Sequence, residues 1–178
     1  MALNATIFKC ELQVADMERH HYGSHALTLA RHPSETDERL MVRLLAFALH
    51  ADEQLQFTRG LSSSDEPDLW RHSLSGEIEQ WIEVGLPDER RIRKACSRAQ
   101  QVTIYAYGGR SAALWWQSVA PQLERFDHLQ VFAIPKESGD ALTELCTRNM
   151  QLNATVQEGT LWLASADASV EVTPERWR

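Results

Sequence analysis

The chain of 178 residues has the length of a single domain, and 43% of its residues are hydrophobic and 24% charged, as in an ordinary folded protein. Its net charge of −7 argues against a protein that binds nucleic acid over its whole surface, because a negatively charged surface repels phosphate. A local basic patch on an acidic body is compatible with this charge. We therefore expect one domain over residues 1–178.

The three cysteines, Cys10, Cys96 and Cys146, are far apart and form no CxxC pair, which argues against a disulfide framework or a zinc knuckle. Such a set is typical of reduced thiols inside the cell. The first residues lack the basic and then apolar pattern of a signal peptide, and no stretch reaches the roughly 18 apolar residues of a membrane helix. We expect a soluble cytoplasmic protein without a membrane contact.

The first third of the chain predicts a pair of strands and a helix. Residues 3–14 and 25–32 alternate between apolar and polar side chains, as in an opening antiparallel pair. Ser34 has the sequence context of an N-cap, and a helix is predicted from Glu35 to about His50. Its apolar stripe consists of Met41, Leu44, Leu45, Ala48 and Leu49.

The rest of the chain predicts strands that alternate with helices. Residues 59–77 are rich in glycine, serine and proline and read mostly as loop and turn. The pattern predicts strands at 78–85, 102–106 and 128–134, and helices at 88–99, 111–123 and 137–147. Alternation of this kind implies parallel crossovers, and a hairpin is predicted about Glu158-Gly159, before a polar tail from Ala166. The fold class expected is α/β (α+β), with one mixed sheet flanked by helices.

Glu83 is the most unusual residue of the predicted strand at 78–85. Side chains alternate along a strand, so Trp81 and Glu83 share one face and Ile82 and Val84 the other. A carboxylate inside an apolar strand costs free energy unless it meets a partner, a proton or a metal ion. A carboxylate at the end of a strand that reaches solvent is the alternative.

Two further acids could join Glu83 in a metal site. Asp68 follows Pro67 and precedes Glu83 by a distance that a tight strand–turn–strand unit can span. Two carboxylates brought together in this way can hold Mg²⁺, with water completing its coordination. Glu38 borders the apolar stripe of the first helix and could supply a third carboxylate. An ordinary turn acid and an ordinary first-turn acid are the alternatives for Asp68 and Glu38.

The predicted helix at 88–99 carries a dense set of basic residues. By helical spacing, one face collects Arg90, Arg91, Lys94 and Arg98. A basic face beside paired acids suits a phosphodiester held against a metal ion. A solvated helix face is the alternative interpretation.

Histidines cluster at positions 20, 21 and 25. His20 and His21 point to opposite faces of an extended chain, and no helix fixes a pair of ligands. The sequence alone therefore gives only weak support to a metal site here.

Several long segments resemble the YaeQ family of bacterial proteins. These are ARHPSETDERLMVRLLAFALHADEQLQFTRGL at 30–61, WIEVGLPDERRIRKA at 81–95, the opening MALNATIFK and the WWQ at 115–117. The resemblance covers nearly the whole chain. It implies a variant of the restriction-endonuclease-like, PD-(D/E)xK, fold, which is a mixed central sheet flanked by helices, with additional N- and C-terminal antiparallel strands.

The resemblance also implies roles for individual residues. Pro67-Asp68 matches the PD element and Glu83 the (D/E) position, whereas Gly85 stands where the motif has lysine. Lys94 on the following helix could project its ammonium into the same space, as migrated lysines do in the wider superfamily. Glu38 matches an acidic position seen on the first helix in some branches.

Three functional hypotheses follow, and the third is a structural protein whose acids and bases are only surface residues. In the first, the protein is a Mg²⁺-dependent nucleic-acid phosphodiesterase. Catalysis would depend on Asp68, Glu83 and Lys94, metal binding on Glu38, Asp68 and Glu83, and nucleic-acid binding on Arg90, Arg91 and Arg98. In the second, the chain keeps the nuclease-like scaffold without catalysis and binds a protein or nucleic acid. The glycine at position 85 and the acidic net charge favour the second hypothesis.

Overall fold

The computed structural model describes residues 4–59 and 64–178 of the chain. The chain divides into two compact units, Met1–Glu53 with Glu137–Pro174, and Gln54–Lys136 with Glu175–Arg178. Residue 3, where the first strand was predicted to begin, and residues 60–63 of the predicted loop lie outside the described residues. The assignment of a single domain over 1–178 stays a prediction.

The first unit is built on a five-stranded mixed sheet. Its elements are β1 at Thr6–Asp16, β2 at His21–Arg31, α1 at Asp37–Leu49, α4 at Lys136–Glu144, β8 at Asn149–Gln157, β9 at Thr160–Ala164 and β10 at Ser169–Val172. The sheet order is β10-β9-β8-β1-β2, in which β1 pairs in parallel with β8 and the other neighbours are antiparallel. Alternate residues of β1, from Phe8 to Val14, face the core. The predicted opening pair and the hairpin about Glu158-Gly159 are thus confirmed.

The second unit is built on a six-stranded mixed sheet. Its elements are β3 at Gln56–Phe57, β4 at Leu69–His72, β5 at Ile78–Val84, α2 at Glu89–Arg98, β6 at Ala99–Ala106, α3 at Arg110–Val119, a short 3-10 helix at Ala120–Gln122, β7 at Leu129–Ala133 and β11 at Glu175–Arg176. The sheet order is β11-β7-β6-β5-β4-β3. The predicted parallel crossovers are confirmed for β5, β6 and β7. The core collects Trp81, Ile92, Val102, Ile104, Leu123 and Val131.

The fold class is the predicted α+β mixture, but its strands form two sheets instead of one. The strand that follows α4 does not join the sheet that contains β7. Instead, β8 pairs with β1 in the five-stranded sheet. The tail from Ala166 also contributes β10 and β11, which a polar composition did not predict. None of the helices in the described ranges combines the length and the apolar character that crossing a membrane requires.

Both helices that were predicted to carry site residues begin at a capping side chain. Thr36, and not the predicted Ser34, caps α1 by accepting a hydrogen bond from the backbone N–H of Arg39 at 3.1 Å. Asp88 caps α2 in the same way, since its carboxylate accepts from the backbone N–H of Arg91 at 2.8 Å. Each cap satisfies one of the amide groups that a helix start leaves without an intrahelical partner.

A buried ion pair fixes α1 within the first unit. Arg43 donates from Nε to Glu35 Oε1 at 2.8 Å and from Nη2 to Glu35 Oε2 at 2.9 Å, and both side chains are about 2% exposed. Arg43 Nη2 also donates to the carbonyl of Ala30 at 3.1 Å. The pair therefore joins α1 to the end of β2 and to the turn that follows it.

Replacing Arg43 by methionine should lower the free energy of unfolding by about 3 to 5 kcal/mol, because it leaves the buried carboxylate of Glu35 without its main partner. Arg39→Met is the matched control. Arg39 reaches the same carboxylate at 3.2 Å from a more exposed position, and its loss should cost about 1 kcal/mol or less. Urea unfolding followed by circular dichroism measures both values. Equal losses in the two variants would contradict the prediction.

Candidate active site

Asp68 and Glu83 lie side by side in the second unit. Strands β4 and β5 are antiparallel with Leu69 opposite Ile82, and the backbone N–H of Asp68 donates to the carbonyl of Ile82 at 3.0 Å. Extending this register by one residue sets Asp68 beside Glu83. Both residues are buried, with 2% and 4% of their surface exposed. The structure thus brings together the two acids that the sequence proposed as a pair.

The carboxylate of Asp68 ties the segment before β4 to the end of β5. Its Oδ2 accepts a hydrogen bond from the backbone N–H of Val84 at 2.8 Å. On the other side, the backbone N–H of Thr58 donates to the carbonyl of Asp68 at 3.1 Å. Asp68 is therefore held by its backbone and by its side chain, which gives its carboxylate a defined position.

Glu83 has two partners that meet at the same oxygen. Its Oε1 accepts from Trp81 Nε1 at 2.8 Å and from Arg91 Nε at 2.9 Å. Trp81 is two residues earlier on the same face of β5, as alternation predicted, and is fully buried. Both hydrogen bonds from described residues end on Oε1, so Oε2 is the oxygen that could take a further ligand.

The surroundings of Glu83 raise the pKa of its carboxyl above the ordinary value of 4.5. Burial is the largest cause, because it removes water from the charged form, and the negative charge of Asp68 acts in the same direction. The guanidinium of Arg91 and the indole of Trp81 oppose the shift by stabilising the carboxylate. Burial and the charge of Asp68 together outweigh these two donors, so the pKa of Glu83 stays above its ordinary value.

Arg91 also holds the chain segment formed by residues 64–66. Its Nη1 donates to the carbonyl of Ser64 at 3.1 Å and its Nη2 to the carbonyl of Glu66 at 2.7 Å. One guanidinium thus joins the buried acid of β5 to the 64–66 segment. The sequence proposed Arg91 for nucleic-acid binding, and in this structure its donors are used within the protein.

Two more basic residues of α2 hold the same segment. Lys94 forms an ion pair with Asp65, and this hydrogen bond lowers the pKa of the Asp65 carboxyl. Arg98 donates to the carbonyl of Asp65 at 2.8 Å, and its guanidinium lies 5.3 Å from the ring centroid of Trp81. Most of the basic face of α2 is therefore directed at the 64–66 segment. The catalytic role of Lys94 and the nucleic-acid role of Arg98 stay predictions, as does that of the exposed Arg90.

Gly85 shows a backbone reason for the missing motif lysine. Strand β5 ends at Val84, and Gly85 has φ of +113°, a conformation that residues with side chains rarely adopt. Its N–H donates to the carbonyl of Tyr105 at 2.9 Å, which fixes the turn. A lysine at this position would be strained, and its side chain would not continue the alternation of the strand.

Glu38 belongs to the first unit and approaches α4. A Cβ built on Gly139 would lie 2.5 Å from Glu38 Oε1, so a larger residue at this position of α4 would require the Glu38 side chain to move. The metal-binding role proposed for Glu38 stays a prediction. Over residues 4–59 and 64–178, no cluster of three or more His, Cys, Asp or Glu side chains has the arrangement of a metal site.

Comparison with known proteins decides the family. The profile of the YaeQ protein family matches residues 1–174. The chain belongs to the YaeQ family. Relatives named uncharacterized protein YaeQ are 48% identical in Salmonella typhi and 46% identical in Escherichia coli K12, and each match covers 100% of this chain and 98% of the relative.

Crystal structures of family members agree with the fold described above. The YaeQ protein from Xanthomonas axonopodis pv. citri superposes with a TM-score of 0.94 at 46% identity, and the match covers 98% of both chains. The YaeQ protein from Pseudomonas syringae superposes with a TM-score of 0.93 at 36% identity, covering 98% of this chain and 96% of that one. The sequence-based assignment to this family is confirmed.

Sequence reasoning missed the partners of Glu83. The indole of Trp81 could have been found, because a residue two positions away on a strand shares its face. Arg91 could not, because a turn and the start of a helix separate it from Glu83 and no local periodicity relates the two. The 64–66 segment gave no signal beyond its polar composition.

The raised pKa of Glu83 predicts how stability depends on pH. The folded chain binds this proton more tightly than the unfolded chain, so the contribution to stability is fully present below pH 4.5 and is lost as the pH rises through the raised pKa. Glu83→Gln removes the group that titrates. The free energy of unfolding of this variant, relative to the parent chain, should therefore rise as the pH increases from below 4.5 through the raised pKa.

Urea unfolding at a series of pH values measures this difference. Glu79→Gln is the matched control, since it removes a half-exposed carboxylate, paired with Arg71, from the same strand. A difference between Glu83→Gln and the parent chain that stays constant over the whole pH range would contradict the assignment.

Proposed function

We propose that the Asp68–Glu83 pair is the divalent-cation site of a Mg²⁺-dependent nucleic-acid phosphodiesterase. The observation that carries this proposal is the burial of two carboxylates side by side, where burial and mutual repulsion raise the pKa of Glu83. Perturbed carboxylates of this kind concentrate at functional sites. The match of Pro67-Asp68 and Glu83 to the nuclease-like motif supports the same conclusion.

The donor set fits Mg²⁺. This ion prefers oxygen ligands and is commonly held by one or two carboxylates, with water filling the remaining positions. The charge of Asp68 contributes to the raised pKa of Glu83, so a divalent cation beside the two carboxylates would relieve that repulsion. Glu83 Oε2 and the carboxylate of Asp68 are the proposed ligands, and water would fill the remaining positions.

When bound, Mg²⁺ would polarise the phosphate and lower the pKa of the attacking water. Glu83 would hold its carboxylate in place through the hydrogen bond from Trp81. Arg90 and Arg98 would bind the nucleic-acid backbone. Lys94 would stabilise charge that develops on the phosphate after leaving Asp65, which is fully exposed and therefore a weakly held partner.

The proposal predicts that metal binding and cleavage fail together. Glu83→Gln and Asp68→Asn keep the shape of each side chain but remove its charge, so both should weaken Mn²⁺ binding and abolish Mg²⁺-dependent cleavage of DNA or RNA. Calorimetry with Mn²⁺ and gel assays on single- and double-stranded DNA and RNA measure the two effects. Glu79→Gln is the control from the same strand. Cleavage that survives Glu83→Gln would exclude this site as its source.

Arg91 gives an independent test of the metal site. Its guanidinium neutralises Glu83, so Arg91→Ala should strengthen Mn²⁺ binding by leaving the carboxylates less compensated. Arg93→Ala is the matched control, because Arg93 lies on the same helix and pairs with Glu89 instead. Equal Mn²⁺ affinities in the two variants would contradict the proposed position of the ion.

A second candidate function is a binding module that keeps the scaffold without catalysis. Gly85 favours it, since the backbone at the motif position does not accept lysine, and so does Lys94, whose ammonium is paired with Asp65. The binding-module hypothesis predicts that the protein binds nucleic acid without a metal ion and does not cleave it. Arg90→Glu should weaken such binding in fluorescence anisotropy, whereas Arg110→Glu changes the net charge equally from α3 and should not.

A further inference from the structure

Two histidines of the first unit lie close together on either side of a glycine. His21 and His25 lie on the same face of β2, and their Nε2 atoms are 3.0 Å apart. Residues four apart on a strand are separated by about 13 Å along the backbone. The two side chains must therefore lean toward each other across Gly23 to come so close.

Gly23 lies between the two histidines on the same face of β2. A Cβ at Gly23 would lie 3.5 Å from His21 Nε2 and 3.7 Å from His25 Nε2. The backbone of Gly23 does not have the positive φ that commonly requires glycine. A Cβ at this position would therefore touch both imidazoles at ordinary van der Waals distance, and a larger, branched side chain would crowd them.

The surroundings of His25 act on its pKa in two directions. Burial lowers the pKa of His25, and the neighbouring His21 lowers it further, while Glu53 and Asp52 oppose the shift. The carboxylates of Asp52 and Glu53, just after α1, add negative potential that favours a cation.

The distance between the nitrogens suits neighbouring ligands of one ion. With a metal–nitrogen bond of about 2.0 to 2.1 Å, adjacent ligands have nitrogens roughly 2.8 to 3.4 Å apart. The rings now face each other through Nε2, with centroids 5.3 Å apart and planes inclined by 21°, so the pair shares one N–H···N hydrogen bond. Binding would replace that bond after small rotations of the side chains.

We propose that His21 and His25 form a two-imidazole site for a divalent transition-metal ion such as Cu²⁺, Ni²⁺ or Zn²⁺. Imidazole nitrogen suits these ions, in contrast to the oxygen ligands proposed around Glu83. Water completes the coordination. The site lies in the first unit and is independent of the proposed phosphodiesterase site.

The test uses the full chain without a histidine tag. Calorimetry with Zn²⁺ should show one ion bound, and one equivalent of Cu²⁺ should give an electron paramagnetic resonance spectrum with coupling to two imidazole nitrogens. His21→Gln and His25→Gln should each remove the second nitrogen and weaken Zn²⁺ binding roughly tenfold or more. Gly23→Val should weaken binding while keeping both ligands.

His20→Asn is the matched control, because His20 adjoins the pair without belonging to it. Asparagine tolerates the positive φ of 55° found there. This variant should bind like the parent chain, and thermal melts without metal should show that every variant is folded. A parent chain without the two-nitrogen spectrum would overturn the proposal. So would a spectrum that persists after both histidines are replaced.

Discussion

The carboxylate of Glu83 cannot be buried without partners, and the local structure of the second unit reflects that requirement. Trp81 supplies one donor from the same face of β5, and Arg91 supplies the other from α2. Because Arg91 also reaches the carbonyls of Ser64 and Glu66, satisfying Glu83 positions a chain segment that has no regular structure of its own. Burial of one charge thus organises a strand, a helix and a loop around a single point.

This arrangement places opposite demands on the same charges. Arg91 stabilises the ionised form of Glu83, whereas Asp68 and burial raise its pKa. A cation between the acids would relieve their repulsion but compete with the guanidinium. The protonation of Glu83 consequently depends on which other charges are bound nearby. The basic face of α2 contributes to this electrostatic environment and also holds the 64–66 segment.

The sequence predicted features that depend on local periodicity. Alternation gave β5 and the common face of Trp81 and Glu83, and the turn pair Glu158-Gly159 gave the last hairpin. What it could not predict depends on contacts between distant residues. Arg43 and Glu35 are eight residues apart in sequence, and no local pattern pairs them. Strand β10 has too few apolar residues to be predicted from its composition.

The division into two sheets has the same cause. Strands alternating with helices predict parallel neighbours, and the pattern does not say which sheet each strand joins. β8 follows α4 in the manner of another crossover, yet it pairs with β1. Gly85, in contrast, could be identified from the sequence as a departure from the motif. The structure shows that its backbone has a positive φ, which favours glycine.

The pairing of β1 with β8 has a consequence for how the chain acquires its structure during synthesis. Lys9 is opposite Asn149, so the central strand of the first sheet leaves the ribosome long before its parallel neighbour exists. Until then the hairpin of β1 and β2 presents an open edge and an uncovered apolar face. The second sheet is likewise completed late, by β11. Closure of such distant pairs is slow, so this edge and this apolar face stay exposed until the last strands have been made.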